Sequence, residues 1–159
     1  MTFTLRLIEP QDNAPLAAII RAALTEFGAN RPGFAWQDPE LSNLSQAYAG
    51  HAHAYWVVTL GSKLVGGCGI APLKPRVGGT CELQKMYLCR SARGQGLGTL
   101  MMKTALAFAS EHYRWCYLET LTNMMAAASL YRRASFIALP KPLIGTEHGG
   151  CDCWYLKEL

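Results

Sequence analysis

One segment constrains this chain more than any other: a glycine-rich turn between an apolar, strand-like run and an amphipathic helix. From residue 93 to residue 99 it reads Arg-Gly-Gln-Gly-Leu-Gly-Thr. Three glycines in five positions remove side chains where the backbone must turn, so several N–H groups can point into one concavity. The same groups stand at a helix N-terminus, whose dipole attracts phosphate. The segment therefore predicts a site for a diphosphate or a similar anion.

The glycine spacing separates this turn from two common nucleotide sites. A P-loop requires G-x-x-x-x-G-K-[ST], and no Lys-Ser/Thr pair follows these glycines. The dinucleotide motif G-x-G-x-x-G would place its third glycine at Thr99. Glu119 stands about 20 residues further on, where that motif has an acid, but the motif normally opens a βαβ array. Here the turn follows four predicted strands, so both nucleotide sites are disfavoured.

Periodicity predicts one mixed α/β domain, with helices covering a central sheet. Alternating residues predict a first strand at 3–8, and a 3.6-residue period predicts a helix from Asp12 or Asn13 to Gly28. Asp38-Pro39-Glu40 predicts the start of a second, short helix. The later predicted elements are strands at 54–60, 63–70, 80–88, 115–119, near 136 and at 152–156, and helices at 94–112 and 123–134. A chain of 159 residues is the size of one such domain.

Composition narrows the functional classes. A net charge of +4 is too mild for a nucleic-acid surface but suits an anionic small ligand. Without a signal-type or membrane-length apolar run, we expect a soluble, cytoplasmic protein. Six cysteines without a C-x-x-C pair predict free thiols. His148, Cys151 and Cys153 lack a fourth ligand, so no metal site is predicted.

The pattern Arg93-x-x-Gly96-x-Gly98 resembles the coenzyme A signature R/Q-x-x-G-x-G/A of the GNAT superfamily of N-acetyltransferases. The preceding run 81–88 is similar to the family's fourth strand, and residues 118–136 are similar to its second conserved block. Two features depart from the usual pattern: Ser135 replaces a glycine, and Asn123 and Tyr131 are eight residues apart instead of seven. The resemblance implies a single domain over 1–159 with a mostly antiparallel central sheet flanked by helices. It also implies acetyl-CoA as co-substrate.

The resemblance also implies roles for particular residues. The backbone of Met86, Tyr87 and Leu88 would hold the pantetheine arm, which Asn123 would contact from a following loop. Tyr131 would lie near the thioester sulfur and act as an acid. The diphosphate would bind at Arg93, Gly94, Gln95, Gly96, Leu97, Gly98 and Thr99.

Glu82 is a candidate catalytic base on separate grounds. A strand covered on both faces should be nearly all apolar, yet residues 82–85 read Glu-Leu-Gln-Lys. From Glu82 to Leu88 is about 20 Å at the rise of a strand, comparable with an extended pantetheine arm. A carboxylate at 82 would then lie near the thioester. An ion pair between Glu82 and Lys85 or a helix arginine remains open, as does core packing for Tyr131.

The leading hypothesis is direct attack of a neutral amine on the thioester. A non-catalytic acyl-CoA sensor of the same fold is an alternative, as is a peptide or protein N-acetyltransferase. In the fold that the chain resembles, residues 28–36 and 145–154 would flank the cleft opposite the coenzyme. A small cationic amine is then the expected acceptor, through the aromatic and histidine side chains Phe34, Trp36, His148 and Trp154 and the carboxylates Glu26, Asp38, Glu147 and Asp152. A homodimer remains possible.

Overall fold

The computed structural model describes residues 2–143, 145 and 149–159. Within them, seven strands and four α-helices follow one another along the chain. In order they are β1 (Phe3–Leu7), α1 (Asn13–Glu26), α2 (Leu44–Ala47), β2 (Ala54–Leu60), β3 (Lys63–Pro72), β4 (Thr80–Leu88), α3 (Leu97–His112), β5 (Trp115–Thr120), α4 (Met125–Arg133), β6 (Ile137–Leu139) and β7 (Cys153–Glu158).

All seven strands form one sheet in the order β1-β2-β3-β4-β5-β7-β6. Every neighbouring pair is antiparallel except β4 and β5, which run parallel. The predicted mostly antiparallel sheet is therefore confirmed. All six cysteines are free thiols. In the described part of the chain, no helix is both long and apolar enough to cross a membrane.

The two parallel strands separate partway along their length. Their pairing runs from Thr80 opposite Trp115 to Glu82 opposite Tyr117. Beyond that point β4 continues to Leu88 and β5 to Thr120 without a further paired position. The sheet is therefore open at its centre, with Glu82 at the point where the strands diverge.

Both faces of the sheet are covered by apolar clusters, because successive strand residues point to opposite sides. On β2, Trp56 and Val58 belong to one cluster and Tyr55 and Val57 to the other. The first cluster includes Met101 and other residues of α3 and α4, and we call its side the α3 face. The second includes buried residues of α1 and α2, and we call its side the α1 face: Leu16, Ile20, Leu24 and Leu44.

Two helix predictions differ from the structure, each because of a local backbone conformation. Helix α3 starts at Leu97 instead of Gly94, since Gly94 and Gly96 have φ of +72° and +80°, outside the right-handed helical region. The helix predicted from Asp38 does begin after Asp38, but it is a 3₁₀ helix at Pro39–Ser42, separated from α2 by Asn43, whose φ of −148° and ψ of 54° are not helical.

The backbone conformation at Ser135 explains why the family pattern has a glycine at this position. It follows the C-terminus of α4 and has φ of +69°, a left-handed conformation that costs a side-chain-bearing residue about 1 kcal/mol. We therefore expect Ser135→Gly to raise the free energy of unfolding by about 1 kcal/mol in urea denaturation. Ser135→Ala, which keeps the Cβ atom, should give no such gain. An equal gain from both substitutions would show that the backbone strain is not the cause.

Candidate active site

A cavity of about 570 Å³ lies where β4 and β5 separate. Its lining includes Leu24 and Phe34 from the α1 face and Met101 and Tyr131 from the α3 face. A cavity lined from both sides crosses the sheet. It therefore offers two approaches to the same central point, one from each face.

The glycine-rich turn forms one end of this cavity. Gly94, Gly96, Gly98 and Thr99 line it, and among the described residues, apart from the adjacent ones, no atom lies within 4 Å of a Cβ placed on either of the first two glycines. The first α3 hydrogen bond runs from the Leu100 N–H to the Gly96 carbonyl, at 3.1 Å. The N–H groups of residues 97–99 therefore precede the intrahelical ladder and can donate to an anion at the helix N-terminus.

Arg93 lines the cavity but also connects the turn to α1. Its Nε donates to the Leu88 carbonyl at 3.0 Å, and its two terminal nitrogens donate to both oxygens of Glu26 at 2.9 and 2.8 Å. The Arg90 Nε donates to the same carboxylate at 3.1 Å. Hydrogen bonds from Arg93 outweigh the opposing effect of desolvation and hold the pKa of Glu26 below its ordinary value. Glu26 is therefore engaged by arginines, contrary to the expectation that it is available to an amine.

Two of the residues predicted to bind the coenzyme direct their side chains elsewhere. Gln95 is exposed and its amide donates to the Ser91 carbonyl at 3.0 Å. Leu97 is buried in the cluster on the α3 face. Of these two, Leu97 still offers its backbone N–H at the start of α3.

A β-bulge in β4 shapes the wall of the cavity. Lys85 has φ of +48°, and the register with β3 shifts between the pairs Gln84–Gly69 and Tyr87–Gly67. The Tyr55 hydroxyl donates to the Lys85 carbonyl at 2.6 Å. After the bulge, Met86, Tyr87 and Leu88 all line the cavity.

The buried Lys85 side chain attaches the segment before α2 to this bulge. Its Nζ lies 2.8 Å from both Asp38 and Glu40. Burial alone would lower the pKa of Lys85, but Coulombic interactions, including those with Asp38 and Glu40, raise this pKa overall. The ammonium therefore stays charged. Asp38, like Glu26, is thus occupied within the protein, contrary to the prediction.

Glu82 lies in the cavity lining at the last position of β4 that is paired with β5, and its residue surface is 8% exposed. One of its carboxylate oxygens accepts a hydrogen bond from the Gln84 amide nitrogen, and the Gln84 amide oxygen accepts one from the Tyr48 hydroxyl at 2.6 Å. This network orients the carboxylate where the two strands diverge. A hydrogen-bonded carboxylate is therefore held in the wall of the cavity.

Glu119 is a second acid in the lining of the cavity. In the sequence it stood out by its spacing from the glycine-rich turn, which is that of a dinucleotide motif. It follows the β5 partner of Glu82 by two residues and accepts a hydrogen bond from Tyr117 at 2.9 Å. Both glutamates also line a neighbouring cavity of about 40 Å³ that includes Glu40 and His53. A signal was present in the sequence, because Glu119 is an acid in the otherwise uncharged strand Trp-Cys-Tyr-Leu-Glu-Thr.

Tyr131 and Asn123 enter the cavity from the region of α4. The Tyr131 ring packs near those of Phe136 and Tyr155, with centroids 6.1 and 5.5 Å away. Burial raises the pKa of Tyr131 well above its ordinary value, while a hydrogen bond with Thr120 opposes the rise. The hydroxyl therefore stays protonated at neutral pH. The Asn123 side chain donates to the Phe27 carbonyl at 3.2 Å.

The residues predicted to form an acceptor cleft are only partly assembled. Phe34 is buried in the cavity wall, whereas Trp36 is half-buried and Trp154 lies on β7 opposite Glu119. Asp152 accepts hydrogen bonds from the backbone and the hydroxyl of Thr122, both at 2.9 Å. Glu147 and His148 lie outside the described residues. Among the described side chains, no group of three His, Cys, Asp or Glu is arranged to hold a metal ion.

Comparison with known proteins agrees with this architecture. Residues 17–136 match the model of the Acetyltransferase (GNAT) family. The uncharacterized N-acetyltransferase YjgM of Escherichia coli (strain K12) is 38% identical over 157 residues, which cover 98% of this chain and 94% of that protein. An acetyltransferase of the GNAT family from Staphylococcus aureus Mu50 has a TM-score of 0.83 at 17% identity, with 99% of each chain covered.

A ribosomal-protein-alanine N-acetyltransferase from Brucella melitensis has a TM-score of 0.76 at 21% identity, covering 98% of this chain and 99% of that one. At these identities the two solved structures show the fold alone. The family match spans most of the chain, and the E. coli relative covers nearly all of it. The chain therefore belongs to the GNAT family of acetyltransferases.

Proposed function

We propose that this protein transfers the acetyl group of acetyl-CoA to a primary amine on a small cationic molecule, with Glu82 as base and Tyr131 as acid. The observation that carries the proposal is the cavity that crosses the sheet. Its lining includes the glycine-rich turn, Glu82 and Tyr131, and it extends to residues of the α1 face as well. A donor and an acceptor can therefore meet from opposite sides.

The glycine-rich turn before α3 and residues 86–88 support a donor site on the α3 face. The N–H groups of Leu97, Gly98 and Thr99 would donate to the diphosphate. The backbone of residues 86–88 lines the cavity beyond the last position paired with β5, so it can receive the pantetheine arm. The six residue steps from Leu88 back to Glu82 span about 20 Å, which brings the thioester to the catalytic side chains.

The proposed chemistry is a direct acyl transfer. Glu82 accepts a proton from the amine, directly or through one water molecule, and the neutral nitrogen attacks the thioester carbonyl carbon. A C–N bond forms as the C–S bond breaks, and the Tyr131 hydroxyl donates its proton or a hydrogen bond to the departing sulfur. As the amide forms, the nitrogen releases its second proton, which either reaches the departing sulfur or replaces the proton that Tyr131 has donated. The Tyr131 hydroxyl, like any tyrosine hydroxyl at neutral pH, carries the proton that this step needs.

The experiment that tests this function is an acetyl-transfer assay with purified protein, acetyl-CoA and a panel of small amines and peptides. We expect release of free thiol matched by acetylated small amine, measured by mass spectrometry. Coenzyme binding without acetylation of any amine or peptide would identify the protein as a non-catalytic acyl-CoA sensor. Acetylation confined to peptides would replace the small-molecule acceptor with a protein N-terminus or lysine.

Tyr131→Phe is expected to lower kcat roughly 10²-fold, the lower end of the contribution of a positioned acid. Phenylalanine keeps the ring and its packing against Phe136 and Tyr155, so the melting temperature should stay unchanged. Tyr155→Phe is the matched control, because it removes a hydroxyl from a buried ring of the same cluster. Full activity of Tyr131→Phe, or an equal loss in the control, would assign Tyr131 to packing.

A further inference from the structure

We infer that the acceptor carries its amine on an apolar skeleton, which lies in a preformed apolar subsite on the α1 face of the cavity. The inference rests on the proposed function, since it concerns the substrate of that same site. We define the apolar subsite by cavity-lining residues from the end of α1, the following loop and the loop after β5: Leu24, Ala29, Phe34, Ala35 and Leu121.

Contacts within the protein hold the walls of the apolar subsite in position. The Gly150 N–H donates to the Gly33 carbonyl at 2.9 Å, which brings residues 149–151 against the Phe34 ring. A Cβ atom at Gly150 would lie 2.6 Å from that ring, so the backbone packs directly on it. The Ala29 N–H closes the end of α1 through a 2.7 Å hydrogen bond to the Leu24 carbonyl. A preformed apolar wall of this kind is typical of small-molecule sites.

The nearby carboxylates favour this assignment over a site for a second ammonium group. Glu26 is held by Arg90 and Arg93, and Asp38 is held by Lys85. The more polar cavity beside Glu82 has a volume of only about 40 Å³, which is room for a few water molecules. The skeleton of an amine of several carbons therefore fits the larger, apolar side.

If the subsite binds the hydrocarbon part of the acceptor, kcat/KM should depend on the length of that part. Each methylene group transferred from water into the subsite should raise kcat/KM about fourfold, until the subsite is full. The experiment compares ethylamine, butylamine, hexylamine and phenethylamine with 1,4-diaminobutane at a fixed, saturating concentration of acetyl-CoA. We expect a rising series and at least a tenfold preference for butylamine over the diamine. A flat series, or a preference for the diamine, would overturn the inference.

A pair of leucine variants locates the effect. Leu121→Gln places an amide of similar size in the half-buried part of the subsite and should lower kcat/KM for phenethylamine about tenfold, with little change for ethylamine. Leu100→Gln makes the same change at an exposed position of α3 and should alter neither value. Equal effects on both amines, or in both variants, would contradict the assignment.

The same variants distinguish the acceptor from a longer donor chain. If Leu121→Gln changes the preference among acetyl-, butyryl- and hexanoyl-CoA but not among amines, the subsite holds the acyl chain and the inference is wrong. Transfer to diamines or peptides without an apolar preference would remove this inference and leave the acetyltransferase intact. The absence of transfer to any amine would remove the proposed function itself.

Discussion

Replacing Gly96 by valine is expected to abolish coenzyme A binding while the fold survives. Gly96 has φ of +80° and immediately precedes the three N–H groups proposed to bind the diphosphate. A β-branched residue disfavours this conformation and places two methyl groups at the edge of the cavity. Since no other part of the chain that the structure describes lies within 4 Å of the added Cβ atom, the strain stays local. Isothermal titration with coenzyme A measures the loss, and circular dichroism verifies the fold.

Gly61→Val is the matched control for the effect of strain. Gly61 also has a left-handed backbone, with φ of +60°, and no described residue beyond its chain neighbours lies within 4 Å of its Cβ position. It occupies the β2–β3 hairpin instead of the turn before α3. This variant should retain coenzyme A affinity. Unchanged affinity in folded Gly96→Val, or an equal loss in Gly61→Val, would show that the turn is not the binding site.

Glu82→Gln is expected to lower kcat by roughly 10² to 10⁴, the usual contribution of a positioned base. Glutamine keeps the size of the side chain and an oxygen that can accept the hydrogen bond from Gln84, so stability should change little. The measurement is kcat for one amine across the pH range, with the melting temperature recorded in parallel.

Glu119→Gln distinguishes the two acids of the cavity. Both carboxylates line the same space, but Glu82 stands at the last position of β4 that is paired with β5, whereas Glu119 is hydrogen-bonded to Tyr117. We expect the larger loss of kcat in Glu82→Gln. Wild-type turnover in that variant, together with a large loss in Glu119→Gln, would transfer the role of base to Glu119.

Local sequence patterns predicted the strands and the glycine-rich turn because both depend on residues close together in the chain. Strand-like runs bounded by turn residues located β2 and β4 at the residues observed, and the glycines located the start of α3 to within three residues. Ser135 marked a departure from the family pattern, and the structure gives it the left-handed backbone that glycine would adopt. The conformation at positions with such local constraints can be predicted from the sequence without tertiary information.

Long-range pairings explain what the sequence did not reveal. Glu26 and Arg93 are 67 positions apart, and Lys85 and Glu40 are 45 positions apart. The local sequence around each acid does not identify its basic partner. Glu26 and Asp38 were therefore predicted to be available to an acceptor. The bulge at Lys85 was equally hidden, because it depends on the register between β3 and β4. Such features emerge only when the sheet is assembled.

A crystal structure of the protein with coenzyme A is the most direct test of the central claim, that donor and acceptor meet in the gap between β4 and β5. We predict the diphosphate at hydrogen-bond distance from the N–H groups of Leu97, Gly98 and Thr99. The thiol should enter the gap within reach of the Tyr131 hydroxyl, with Glu82 facing it from the α1 face. A diphosphate bound elsewhere, or a thiol that stays outside the gap and remote from both side chains, would contradict the account.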